Sequence, residues 1–106
     1  MQIQFERTGG FAGMRIAAAI DLESLPLQDE HELRDLVEAA GFFQLPQTIT
    51  ESTPNADRFV YRVTVETEAQ RHTVEVSEGA VPSSLRPLLA WLTAAGRRKQ
   101  RGGGAR

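Results

Sequence analysis

The sequence predicts an α+β two-layer sandwich: a four-stranded antiparallel sheet with two helices on one face, in the order β-β-α-β-β-α. Four segments alternate apolar and polar residues, so each strand has one apolar face. Two further segments carry apolar stripes at helical spacing. A sheet that is apolar on one side needs cover on that side only, and two amphipathic helices supply it.

The first strand is read over 2–8, where Ile3 and Phe5 alternate with Gln2, Gln4 and Glu6. The second covers 14–21, with Met14, Ile16, Ala18 and Ile20 on one side. Between them lies Thr8-Gly9-Gly10-Phe11-Ala12-Gly13, whose glycines suit a hairpin loop because Gly reaches φ > 0 without steric cost. The first helix is expected over 28–40. Leu33, Leu36, Val37 and Ala40 form its stripe, Asp29, Glu30 and Glu32 suit its N-terminal dipole, and Gly41 is its C-cap. Phe42, Phe43 and Leu45 then plug one end of the core. Pro46, Pro54 and many polar residues make 46–57 a long loop. Phe59, Tyr61, Val63 and Val65 mark the third strand, and His72, Val74 and Val76 the fourth. Ser84 is the expected N-cap of a second helix striped by Leu85, Leu88, Leu89 and Leu92, with Pro87 tolerated in its first turn and Gly96 as its end. The core should contain Phe5, Ile16, Leu36, Tyr61, Val63, Val74, Leu89 and Leu92.

The length suits one domain, read as 1–96, followed by a disordered basic tail over 97–106 that should be dispensable. The net charge of −2 hides an asymmetry: the tail holds five of the twelve basic residues, and the remaining seven face fourteen acidic ones, leaving the body at −7. An acidic body disfavours general nucleic-acid affinity. There is no cysteine, hence no disulfide framework or thiolate chemistry. The N-terminus lacks the basic start and apolar run of a secretory signal, and no stretch approaches the ~20 apolar residues of a membrane helix. A soluble, cytoplasmic, monomeric protein is expected.

Strand polarity places the loops. The first strand runs up to the glycine loop and the second runs down. With the first helix returning the chain upward, the third strand starts at the top after Asp57 and the fourth ends there near Ser77. Strand orders 2-1-3-4 and 1-2-4-3 both allow this. Loops 9–13, 46–57 and 77–82 then share one end. Phe11, large and apolar at a Gly-flanked tip, either folds back on the core or faces a partner. Asp57 either closes an Asx-type turn or ion pair with Arg58 or offers its carboxylate outward.

No catalytic set is evident. His31-Glu32-Leu33-Arg34-Asp35 begins like a zinc-protease helix, but Asp35 stands where the second histidine is needed. His72 falls on the apolar face of a strand, as a satisfied core or edge histidine does. The glycines spell G-G-x-x-G between two strands rather than G-x-G-x-x-G between strand and helix, which argues against a phosphate site. No enzyme activity, cofactor or metal of the protein's own is expected.

Phe5-Glu6-Arg7-Thr8-Gly9-Gly10-Phe11-Ala12-Gly13, Asp57-Arg58-Phe59, Tyr61-Arg62-Val63-Thr64-Val65-Glu66, Ser77-Glu78-Gly79-Ala80-Val81-Pro82 and Leu85-Arg86-Pro87-Leu88-Leu89-Ala90-Trp91-Leu92, in that order, resemble emfourin-like proteins. That family comprises bacterial inhibitors of thermolysin-family zinc metalloproteases, notably protealysin-like ones. The resemblance implies that an aspartate from one loop binds the enzyme's zinc while apolar residues of a neighbouring loop fill substrate subsites. Loop polarity selects Asp57 over Asp21, which lies at the opposite end of the sheet, with Gly10, Phe11, Ala12 and Arg58 as the other protease-binding residues. The alternative is a protein- or RNA-interaction module using Arg15, Arg58 and Arg62 on the open sheet face together with the basic tail, although that face lacks aromatic stacking residues.

Overall fold

The structure, a computed structural model, describes residues 1–10, 15–50 and 58–104, with side chains through Arg98. Its strands are β1 (Gln2–Gly9), β2 (Ile16–Asp21), β3 (Thr48–Ile49), β4 (Phe59–Glu66) and β5 (Arg71–Ser77). Its helices are α1 (Leu27–Ala39) and α2 (Arg86–Gly104). The sheet order is β2-β1-β4-β5-β3. The four long strands are mutually antiparallel in the expected 2-1-3-4 arrangement, while β3 runs parallel to β5. The sheet is therefore five-stranded and mixed rather than four-stranded and antiparallel. β3 has only two residues, too few to show alternation, and it lies just after Pro46 in a stretch whose composition reads as loop. It is held by Glu75 N–H donating to the Gln47 carbonyl at 2.8 Å and by Ile49 standing beside Val76.

Cross-strand register puts Ile3, Phe5, Ile16, Ala18, Val63, Val65, Val74 and Val76 on one face, all buried. Leu33 and Val37 of α1 and Leu88, Leu89 and Leu92 of α2 close over that face as one cluster. Of the expected core, Leu36 and Tyr61 are only partly buried and pack against the cluster from its margin. Among the described residues, neither helix covers the opposite face. There the Arg15 guanidinium pairs with Glu6 at 2.6 Å, and the Thr64 and Thr73 hydroxyls meet at 2.8 Å.

α1 does not carry the chain up the sheet. The turn before it is tied to the first strand's start by Leu22 N–H donating to the Met1 carbonyl, and the turn after it reaches His72, whose Nε2 lies 2.7 Å from the Leu45 carbonyl. Both Met1 and His72 belong to the end of the sheet away from Gly9. Thirteen helical residues span about 20 Å, and five strands span about 19 Å between outer axes, so α1 crosses the sheet from the β2 edge to the β3 edge. The short β3 then supplies the upward return. Gly41 closes α1 in the left-handed region (φ 60°), and Phe42 is buried against the edges of Phe43 and His72.

Two expectations for α2 are overturned. Ser84 is not its cap: the helix begins at Arg86, and the Ser84 hydroxyl donates instead to the Ala40 carbonyl at the end of α1 (3.4 Å). Nor does Gly96 end it, since helical backbone continues to Gly104 through much of the segment expected to be a disordered tail. Gly96 is a contact glycine. A Cβ there would stand 2.5 Å from Ile16 Cγ2 and 3.3 Å from the Ala17 carbonyl oxygen, so its missing side chain lets α2 lie directly on β2. Gly96→Ala should therefore destabilise the fold by about 1–3 kcal/mol through overpacking, outweighing the ~1 kcal/mol of helix propensity gained. Thermal denaturation should show a melting temperature several degrees lower, and Ile16→Leu, which removes the β-branch methyl, should restore part of it; a melting temperature at or above the parent's would refute the contact role.

Candidate functional site

The upper end of the sheet is organised around Phe59, the first residue of β4. Gly9 is its cross-strand partner in β1. Gly9 and Gly10 both have positive φ (95° and 77°), and neither has room for a side chain. A Cβ on Gly9 would stand 2.9 Å from the Arg58 carbonyl oxygen, and one on Gly10 would stand 2.5 Å from the Phe59 ring. The Gly10 N–H donates to the Arg58 carbonyl at 3.4 Å. Thus Gly10, at the start of the glycine loop, and Arg58, just before β4, are fastened to one another by backbone.

Two charged side chains complete this node. The Arg7 guanidinium lies 4.0 Å from the centroid of the Phe59 ring, a cation–π stack. The Glu78 carboxylate accepts the Phe59 N–H at 3.0 Å, which draws the turn after β5 to the same place. Ile49, paired with Val76, brings β3 to this end as well. Gly10, the residue before β4 and the turn after β5 meet there, whereas the segment expected as the 46–57 loop begins at the other end near His72, and β3 rather than α1 provides the ascent.

Of the residues expected to bind a protease, the structure brings Gly10 and Arg58 together. Phe11, Ala12 and Asp57 lie outside the described residues. Asp21, the competing aspartate, is at the far end opposite Gln2. There it caps a short 3-10 turn, accepting the Glu23 N–H at 3.1 Å and the Ser24 hydroxyl at 3.5 Å. Sequence reasoning overlooked Arg7, Phe59 and Glu78 as parts of the site. The available signal was Arg7, a charge at a position where β1 should place an apolar residue.

Among the described residues, no group of three or more His, Cys, Asp or Glu is arranged to hold a metal ion, and no helix is long and apolar enough to cross a membrane. His31 is exposed on α1, and His72 is engaged with the Leu45 carbonyl. A concavity of about 880 Å³ on the open sheet face is lined by Ala17, Ala19, Arg62 and Thr73 together with Glu6 and Arg15, which are paired with each other.

Gly10→Ala should be poorly tolerated, because the backbone is left-handed and the new methyl would meet the ring. A loss of at least ~1 kcal/mol is expected from the backbone alone. Phe59→Leu in the same chain should recover only the steric part. Urea denaturation of the single and double variants measures both contributions, and an unchanged midpoint for Gly10→Ala would contradict this geometry.

The Emfourin family profile matches residues 5–93. No curated protein matches the chain in sequence. Among solved structures, emfourin (M4in) from Serratia proteamaculans, an M4 family peptidase inhibitor, is similar, with 21% identity, a TM-score of 0.46 and coverage of 88% of this chain and 87% of that one. The profile runs from the first strand to the middle of the last helix, and on that match this chain belongs to the emfourin family, whose members are inhibitors of peptidases and not enzymes.

Proposed function

We propose that this protein inhibits a thermolysin-family zinc metalloprotease, protealysin-like in type, by seating the Gly9–Gly10 end of the sheet in the enzyme's active site. The observation that carries the proposal is the backbone tie between Gly10 and Arg58. It holds the residues flanking Phe11 and Asp57 side by side, so one approaching surface meets both loops. Asp57 is the zinc ligand in this reading. A catalytic zinc keeps one position open for water, and a carboxylate oxygen can take it at about 2.0–2.2 Å. Phe11 fills the apolar pocket beside the scissile position, with Gly10, Ala12 and Arg58 flanking it. A side-chain carboxylate on the metal presents no peptide bond for attack, so binding is not followed by cleavage.

Two facts support Asp57 over Asp21. Asp21 is committed to capping a turn, and it lies at the other end of the strands from Gly10. The inhibitor acts in this reading as a monomer in a bacterial cytoplasm, without a cofactor.

An interaction module on the open sheet face gains no support from the register. Arg62 stands between Glu6 and Glu75 on neighbouring strands, Arg71 faces Glu66, and Arg15 is paired with Glu6. The basic residues of that face are interleaved with acidic ones, which weakens its pull on a polyanion.

Titrating a purified thermolysin-family peptidase with this protein tests the proposal. Asp57→Ala should weaken inhibition by ~2–5 kcal/mol, roughly 30-fold to several thousand-fold, mainly through faster dissociation and with thermal stability nearly intact. Phe11→Ala should cost somewhat less, near the ~1.5–3 kcal/mol of burying an apolar side chain. Asp57→Asn keeps much of a turn's hydrogen bonding but makes a poor zinc ligand, so inhibition equal to the parent's would sink the ligation role.

A further inference from the structure

Beside the Phe59 node, a cleft of about 410 Å³ opens between the top of the sheet and the exposed flank of α2. Its floor is apolar, with Tyr61 and Leu89, and three arginines border it: Arg7 from β1, and Arg86 and Arg97 from α2. Arg86 and Arg97 are three helical turns apart on one face of α2, with the small residues Ala90 and Ala94 between them leaving the cleft its depth. Glu78 is its acidic member, and that carboxylate is already bound to the Phe59 N–H.

Arg7 is engaged by its stack on Phe59, but local stability does not account for Arg86. Arg86 is the first residue of α2, where the helix dipole favours an acid, and the first turn contains none. The body as a whole is acidic, at −7 over residues 1–96 with Arg7 and Arg86 counted. Three guanidinium groups gathered around an apolar floor in such a body fit an anionic occupant with apolar surroundings.

We infer that this cleft is a second docking surface for the inhibited protease and receives an acidic surface segment of that enzyme bordering its active site. The inference rests on the inhibitory reading above. It is carried by charge complementarity and by continuity with the loop end. Arg7 stacks on the ring that underlies Gly10, and Glu78 holds the backbone that follows Arg58. A partner seated on the loops therefore also covers the cleft. The cleft acts chiefly on the rate of encounter and on partner choice, as charges at an interface rim do. Removal of residues 97–106 takes away one of its walls and is no longer expected to be neutral.

The test uses the full-length protein and a purified thermolysin-family peptidase, with association rates measured from progress curves across salt concentrations. Arg86→Glu combined with Arg97→Glu should slow association roughly tenfold at ~20 mM salt, with the gap closing towards ~0.5 M as the charges are screened. Both residues are exposed, so the melting temperature should stay near the parent's. Arg34→Glu, on α1 away from the cleft, reverses one charge where the cleft variant reverses two, and should alter the rate less than about twofold, well short of half the cleft effect on a logarithmic scale. If the cleft variants track Arg34→Glu at every salt concentration while the parent inhibits, the cleft is not a docking surface and the inhibitory reading stands. If the parent inhibits no such peptidase, both readings fall together.

Discussion

The pairing of β1 with β4 is the constraint on which the rest of the molecule depends. It sets Phe5 opposite Val63 and Ile3 opposite Val65, aligning the apolar face that both helices cover. The same register sets Gly9 opposite Phe59 and so joins two loop entrances. A slip of one residue would turn the core residues of β1 outward and also separate Gly10 from Arg58. Core and candidate site are therefore specified by one set of backbone hydrogen bonds. Holding Gly10 beside Arg58 therefore needs no free energy beyond that which folds the sheet.

Most of this was legible from alternation and helical spacing. Each of the four long strands is one-sided, and the stripes of Leu33 with Val37 and of Leu85 with Leu92 are buried as their spacing requires. What escaped had too little periodic signal or a local signal with two meanings. Thr48 and Ile49 are too few to alternate, and their pairing depends on a strand more than twenty residues later. A glycine after a leucine stripe marks either a helix end or a place where a helix touches its neighbour, and only the proximity of Ile16 separates the two at Gly96. Ser84 had the chemistry of a cap, but tertiary packing gave its hydroxyl the Ala40 carbonyl.

The site was legible in outline for a different reason. The polarity of consecutive strands decides which loops share an end, and that survives an error in how the chain returns. α1 crosses the sheet instead of ascending it, yet β4 still starts at the Gly9 end, because β3 makes up the climb. The parts that could not be read are those defined by side-chain reach across strands. A charge on the apolar side of β1 marks Arg7 as out of place, but neither it nor Glu78 identifies Phe59 as the residue on which both converge.

The close seat of α2 on β2 has a bearing on colloidal behaviour. Open sheets invite other chains to pair with their margins, and proteins blunt this by shortening an outer strand or laying another element beside it. Here one margin is the two-residue β3, and the other is β2, to which α2 is brought by a glycine buried against Ile16 and Ala17. A residue that reads as a helix terminator thus helps keep the small alanine-rich outer strand from templating assembly. An altered Gly96 would then be noticed first as turbidity in concentrated solution, before any deficit in binding was measured.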